Sequence, residues 1–168
     1  IADGLAEQIG EGSSRIKHRY RGHDVVVEGV LPDHEAAIAT VLELFASDGV
    51  DIADSGLAAV GHRVVHGGRS FFAPTLIDET VRSEIERICP LAPLHNPANL
   101  VGIEAVTALL PDVPAVAVFD TAFFHDLPAA ASTYALDAEV AQQYAIRRYG
   151  FHGTSHEYVS RKTAETLG

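Results

Sequence analysis

The chain has 168 residues, 47% of them hydrophobic, which suits one domain with a sizeable core rather than two domains. Its formal net charge of −11, with no basic stripe to offset it, argues against nucleic acid as a partner. No apolar run approaches the roughly 18 residues that cross a bilayer, no signal segment is recognisable and the single cysteine excludes a disulfide framework, so we expect a cytoplasmic protein with no membrane partner.

The first part of the chain predicts a β-hairpin, a helix and a strand. Residues 15–20 and 24–30 flank a short polar turn, as the strands of a hairpin do. Asp33 is placed to cap a helix whose apolar residues recur every three or four positions until Gly49 ends it. Residues 57–66 then predict a strand that is closed by two consecutive glycines.

Helices and one apolar strand are predicted in the second part. The helices cover 78–90 and 96–110, and the Asn-Pro start of the latter is typical of a capping side chain followed by proline at the first helical position. The unbroken apolar run 114–120 predicts a central strand that is covered on both faces. A short helix at 137–144 and a final helix from about Ser155 follow, and the whole pattern predicts an α/β fold with a mixed sheet flanked by helices.

One face of the strand in "GHRVVHGG" combines a cation with a small apolar side chain. Strand alternation sends Arg63 and Val65 to one face and His62, Val64 and His66 to the other. A guanidinium binds a carboxylate by two hydrogen bonds while valine contacts its alkyl tail, so this face suits a short carboxylic acid. The alternative is an arginine that neutralises a nearby acid, and these residues alone leave both interpretations open.

Asp120 follows the apolar strand directly, at the edge where open α/β sheets place ligand-binding groups. An aspartate that caps a turn or a helix is the simpler explanation. A carboxylate beside a covered strand requires a partner, and Arg63, a metal ion or a hydrogen-bonded substrate would each serve.

Two histidines precede predicted helix starts. In "RRYGFHGTSH" the pair Thr154 and Glu157 has the spacing of a capping box, so His152 would stand just before the final helix. His95 stands directly before Asn96. Because helix amino termini favour anions, these imidazoles together with Arg63 would form a cradle for a highly charged oxyanion. A zinc site or a metal-dependent hydrolase built from histidines and the aspartate is a weaker alternative.

Four separated strings, "GHRVVHGG", "LAPLHNPAN", "VFDTAFF" and "RRYGFHGTSHEYVS", occur in the order found in the acetate kinase family, which the chain resembles from about residue 57 to its end. The resemblance implies a ribonuclease-H-like α/β domain of the actin, sugar kinase and Hsp70 superfamily. It implies that residues 1–168 are a single domain, the truncated amino-terminal domain of a two-domain kinase. The implied reaction is reversible, ATP-dependent phosphoryl transfer to acetate, which gives acetyl phosphate and ADP.

The resemblance also implies roles for individual residues. Arg63 matches the arginine that binds the substrate carboxylate, and Val65 and Leu94 match apolar pocket positions. Arg69 is a departure, because the family usually has glutamate after the paired glycines.

Among the catalytic positions, Asp120 matches the family's active-site aspartate, His152 matches the histidine that stabilises the transition state, and His95 matches a further active-site histidine. We interpret Asp120 as orienting Arg63 or the magnesium shell, with a role as proton donor or base as the alternative.

ATP and magnesium are the implied cofactors, and their main ligands are expected outside this chain. The isolated chain is therefore expected to be inactive, and the full-length protein is expected to be a homodimer. Propionate kinase activity and a non-catalytic carboxylate-binding or interaction fragment are the alternative functions.

Overall fold

The computed structural model describes residues 1–168, and their packing divides them into two compact units. The first unit contains residues 1–60 and 101–115, and the second contains residues 61–100 and 116–168. The predicted organisation as one domain stays a prediction. None of the helices combines the length and the apolar character that a membrane span requires.

The first unit contains an antiparallel three-stranded sheet in the order β1-β2-β3 and a helix: β1 Ala2–Glu7, β2 Ser14–Tyr20, β3 His23–Gly29 and α1 His34–Ser47. The predicted hairpin is confirmed as β2 and β3, and Arg21 and Gly22 form its turn with φ angles of 48° and 83°. Strand β1 was not predicted, because "ADGLAE" has no alternation of apolar and polar residues. It is held instead by antiparallel pairing with β2, in a register that runs from Ala2 opposite Tyr20 to Glu7 opposite Arg15.

Helix α1 begins as predicted, since the Asp33 side chain accepts a hydrogen bond from the Ala36 amide at 2.8 Å. Within the same unit, the buried His18 of β2 contacts the edge of the Phe45 ring at a centroid distance of 4.8 Å. His18 Nε2 also lies 2.9 Å from Asp48 Oδ2 at the end of the helix. These contacts fix α1 on the hairpin.

The second unit is built on a sheet in the order β4-β6-β5, with the strands β4 Val60–Val64, β5 Thr75–Leu76 and β6 Ala115–Phe119. Its helices are α2 Glu79–Arg87, α3 Asn96–Leu109, α4 Ala129–Ser132, α5 Ala138–Gln143 and α6 Gly153–Leu167; the unit boundary falls within α3 and at the first residues of β4 and β6. Strand β5 is antiparallel to β6. Bonds from Val60 N to Pro114 O and from Asp120 N to Val64 O show that β4 runs parallel to β6, which confirms the predicted mixed sheet.

An apolar core holds the central strand of the second unit. Phe119, the last residue of β6, is fully buried and its ring stacks on Phe71 at a centroid distance of 4.4 Å. Val64 and Ile85 are also fully buried. Because Phe119 is anchored in this way, the residue that follows it has a fixed position at the end of the strand.

The predicted helix cap at Asn96 is wrong. Asn96 is completely buried, and its side-chain amide pairs with both backbone groups of His66: Oδ1 accepts from the His66 amide at 3.0 Å, and Nδ2 donates to the His66 carbonyl at 3.0 Å. One turn later, Asn99 Oδ1 accepts from the Val65 amide at 3.1 Å. The backbone that follows β4 has no neighbouring strand to pair with, so these two asparagines satisfy its polar groups.

The predicted Thr154–Glu157 capping box is also wrong, because α6 begins earlier, at Gly153. His152 occupies the capping position with a left-handed backbone (φ 55°, ψ 31°), and its side chain makes no capping bond. The Gly153 amide donates instead to the Asp120 carbonyl at 2.9 Å. A Cβ atom at residue 153 would collide with that carbonyl, so the approach requires glycine.

Candidate active site

A cavity of about 370 Å³ in the second unit is bordered by the end of β4, the residue after β6 and the start of α6. Its lining includes Arg63, Asp120 and His152, three residues that come from separate parts of the sequence. The sequence analysis predicted that Arg63, His95 and His152 share a pocket, with Arg63 as one possible partner of Asp120. The structure brings Arg63, Asp120 and His152 together, whereas His95 does not border this cavity.

Arg63 and Asp120 form a two-pronged ion pair. Arg63 Nε donates to Asp120 Oδ1 at 2.9 Å, and Nη2 donates to Oδ2 at 2.6 Å. The carboxylate is 3% exposed whereas the Arg63 side chain is 61% exposed, so the charge of a buried acid is balanced by a cation that still faces solvent. The hydrogen bond to Asp120 raises the pKa of Arg63 above its usual value. The guanidinium is thus held in one orientation while its Nη1 group makes no bond within the chain.

His152 completes this cluster. Its Nδ1 lies 2.8 Å from Arg63 Nη2 and 3.8 Å from Asp120 Oδ2. A guanidinium has donors only, so Nδ1 accepts in this contact and Nε2 faces away from Arg63. His152 therefore presents an N–H donor on the side of the ring away from Arg63.

Asp120 is also fixed through its main chain. Its amide donates to the Val64 carbonyl at 3.0 Å, and its carbonyl accepts from the Gly153 amide at 2.9 Å. One buried residue is therefore bonded to the end of β4, to the start of α6 and, by its side chain, to Arg63. The three segments that carry the cluster are locked to one another at this point.

The other three predicted site residues do not border this cavity. Leu94 is 85% exposed and His95 is exposed, both in the turn before α3. Val65 is partly buried, and its amide is held by Asn99. The roles of these three residues stay predictions.

His62 was not predicted to belong to the site, yet it borders the same cavity. Its Nε2 atom is buried and has no hydrogen-bond partner, and burial lowers the pKa of the ring. The two asparagines that hold the backbone after β4 were likewise not predicted as site residues. Their spacing of three on one helix was a visible signal, but only the fold shows what they bind.

Comparisons with known proteins identify the family of the chain. A model of the Acetokinase family matches residues 1–168. Acetate kinase of Streptomyces avermitilis is 57% identical over 170 residues, which cover 100% of this chain and 42% of that protein. Acetate kinase of Streptomyces coelicolor is 56% identical with the same coverage. The chain therefore spans less than half the length of these relatives.

Solved structures give the same result. The crystal structure of Porphyromonas gingivalis acetate kinase matches with a TM-score of 0.90 and 43% identity, over 99% of this chain and 43% of that one. A propionate kinase from Francisella tularensis also matches with a TM-score of 0.90, at 34% identity, over 99% of this chain and 42% of that one.

The fold is thus the α/β fold that acetate and propionate kinases share, and the predicted actin-like fold class is confirmed. The match extends from the first residue to the last, including the hairpin region where the motif resemblance was looser. The chain belongs to the Acetokinase family.

Proposed function

We propose that this chain carries the carboxylate-binding and transition-state residues of an acetate kinase, which transfers a phosphoryl group between ATP and acetate. The observation that supports the proposal most strongly is the cluster of Arg63, Asp120 and His152 on one cavity, in a chain of this family. The cluster supplies what a reaction between two anions requires, namely fixed positive charge and a fixed hydrogen-bond donor.

In the proposed reaction, an oxygen of the acetate carboxylate attacks the terminal phosphorus of ATP. A new P–O bond forms, the bond between that phosphorus and ADP breaks, and acetyl phosphate leaves. No general base is needed, because a carboxylic acid with a pKa between about 4 and 5 is already ionised at neutral pH. The barrier is lowered by positioning the two anions and by neutralising the charge that they bring together.

Each member of the cluster has a distinct role in this scheme. Arg63 binds the carboxylate through its free Nη1 group. Contacts of Val65 and Leu94 with the methyl group rest on the family resemblance alone, because neither residue borders the Arg63 cavity. His152 donates its Nε2 proton in a hydrogen bond to an oxygen of the transferring phosphoryl group, and His95 provides a further contact. Asp120 holds Arg63 in the orientation that leaves Nη1 available.

The nucleotide and magnesium contacts are proposed to lie outside this chain. Both carboxylate oxygens of Asp120 accept hydrogen bonds from the Arg63 guanidinium, which favours a role for Asp120 in orienting Arg63; a place in the magnesium shell stays the alternative. Asp120 is accordingly assigned to the orientation of Arg63.

A chimera tests the proposal. The 168 residues would replace the matching segment of the Streptomyces avermitilis acetate kinase, and acetyl phosphate formation would be assayed with hydroxylamine. We expect an active chimera, at least a 100-fold loss of kcat/KM for acetate in Arg63→Gln, and little change in the matched control Arg21→Gln, whose cation lies over the Tyr20 ring. A folded but inactive chimera, or full activity in Arg63→Gln, would contradict the assignment.

Two alternatives are separated by the same material. The match to a propionate kinase favours testing propionate beside acetate, and a higher kcat/KM for propionate would reassign the substrate. A non-catalytic carboxylate-binding fragment predicts acetate binding by the isolated chain without activity in any chimera. For the isolated chain we expect no measurable phosphoryl transfer, because only part of a nucleotide site would be present.

A further inference from the structure

A second cavity, of about 540 Å³, lies in the second unit and shares no lining residue with the Arg63 cavity. It is larger than the Arg63 cavity and is bordered by the loop after β4, by the residue after Asp120 and by the segment that contains α4 and α5. Its size is within the range of small-molecule sites.

The charges that border this cavity are all positive or protonatable. Arg69, Arg147 and His125 belong to the lining, and no aspartate or glutamate does, although the chain carries a net charge of −11. The acid at the start of α5, Asp137, is used elsewhere, because its side chain accepts from the Glu139 and Val140 amides. The cavity therefore concentrates positive potential on an acidic protein.

The two arginines lack the carboxylate partners that most other cations of the chain have. Arg69 makes no hydrogen bond or ion pair within the chain, whereas Arg63, Arg87 and Arg161 are each paired with an acid. Arg147 donates only to carbonyls, to Arg148 O at 3.2 Å and weakly to His125 O at 3.5 Å. Both guanidinium groups therefore retain donors for a ligand.

The remaining walls are aromatic and polar. Phe72 and His125 stack at a centroid distance of 5.4 Å, and the Arg147 guanidinium lies 5.4 Å from the Tyr149 ring centre. Gln142 adds an amide to the lining. An anion with a short organic body would have partners for both its charge and its carbon atoms.

We propose that this cavity, which we call the Arg69 cavity, binds a small organic dianion such as a dicarboxylate or a phosphomonoester, at a site distinct from the Arg63 cavity. Arg69 supplies the deciding charge, because it borders the cavity and makes no hydrogen bond or ion pair within the chain. This inference does not depend on the proposed kinase activity, because it concerns different side chains.

An NMR titration of the 168-residue chain tests the inference with two probes, succinate and glycerol 3-phosphate. We expect saturable amide shifts in the loop after β4 and around Tyr149, with a dissociation constant of about 1 mM or tighter. A response to succinate alone would identify a dicarboxylate site, a response to glycerol 3-phosphate alone a phosphomonoester site, and a response to both a general dianion site.

Four variants locate the binding. Arg69→Glu is expected to weaken it at least about tenfold and Arg147→Gln severalfold, since each removes a charge-assisted hydrogen bond. Arg21→Glu is the control for net charge and should change it less than about twofold, because Arg21 lies outside the cavity. Arg63→Gln should leave it unchanged.

Three results would overturn the inference. The first is the absence of saturable shifts with both probes at about 50 mM. The second is an equal loss of binding in Arg21→Glu, and the third is a loss in Arg63→Gln with binding intact in Arg69→Glu. Arg69 is exposed and unpaired, so Arg69→Glu should fold, and Arg69→Gln provides a second variant in which charge is removed without reversal.

Discussion

Replacing Asn96 with alanine should destabilise the second unit strongly. The side chain is completely buried and makes two hydrogen bonds of 3.0 Å with the backbone of His66. Alanine leaves a buried N–H and a buried carbonyl without partners, at about 1 to 3 kcal/mol each. We expect a loss of about 3 kcal/mol, a large share of a typical stability of about 5 to 15 kcal/mol. For a chain of this length the melting temperature should fall by about 6 to 12 °C.

Urea unfolding followed by circular dichroism measures the loss, since the chain contains no tryptophan for fluorescence. Asn99→Ala is the matched control, because it removes a single, partly buried bond to the Val65 amide and should cost about 1 kcal/mol. Equal losses of stability in the two variants, or a loss below about 1 kcal/mol in Asn96→Ala, would refute the argument. Its premise is that the two hydrogen bonds from Asn96 to the His66 backbone stabilise the segment after β4.

Four further outcomes are expected. Arg63→Gln leaves the Asp120 carboxylate buried without its partner and should lower the free energy of unfolding in urea by about 1 to 3 kcal/mol. The double variant with Asp120→Asn should recover most of this loss. Losses that simply add in the double variant would contradict the prediction. Burial lowers the pKa of His66, so below about pH 6.5 the unfolded chain binds more protons than the folded chain. The free energy of unfolding should therefore be full above that pH and fall by at most about 1.4 kcal/mol per pH unit below it. The variant His66→Phe should reduce this slope. Gly153→Ala should lower the melting temperature because its Cβ meets the Asp120 carbonyl, whereas Gly12→Ala, in open space, should not. The isolated chain should melt below about 50 °C because its sheets end in unpaired strand edges, and a cooperative monomeric melt above that temperature would contradict this.

Local patterns predicted most of the secondary structure. The hairpin, the cap of α1 at Asp33 and the buried strand β6 depend on neighbours within a few residues, and periodicity or a single side chain indicates such features. Strand β1 escaped prediction because its stability comes from pairing with β2 rather than from its own sequence.

In the site, too, features set by nearby residues were predicted and features set by distant contacts were not. Arg63, Asp120 and His152 were predicted from their places at element ends and from the family motifs, and the structure brings these three together. The bonds of Asn96 to residue 66 and of Gly153 to the Asp120 carbonyl join distant parts of the chain. Local capping rules misread Asn96 and placed a capping box at Thr154 and Glu157, because such rules ignore partners brought close only by the fold.

The three-way bonding of Asp120 has a consequence for how the protein matures. Because its amide, carbonyl and carboxylate each engage a different segment, no partly assembled chain presents a correctly aimed guanidinium. The cost of ordering the charged groups is met once, during assembly, instead of at every encounter with a substrate. A copy of the chain in which one of these segments is misplaced would therefore lack the oriented guanidinium.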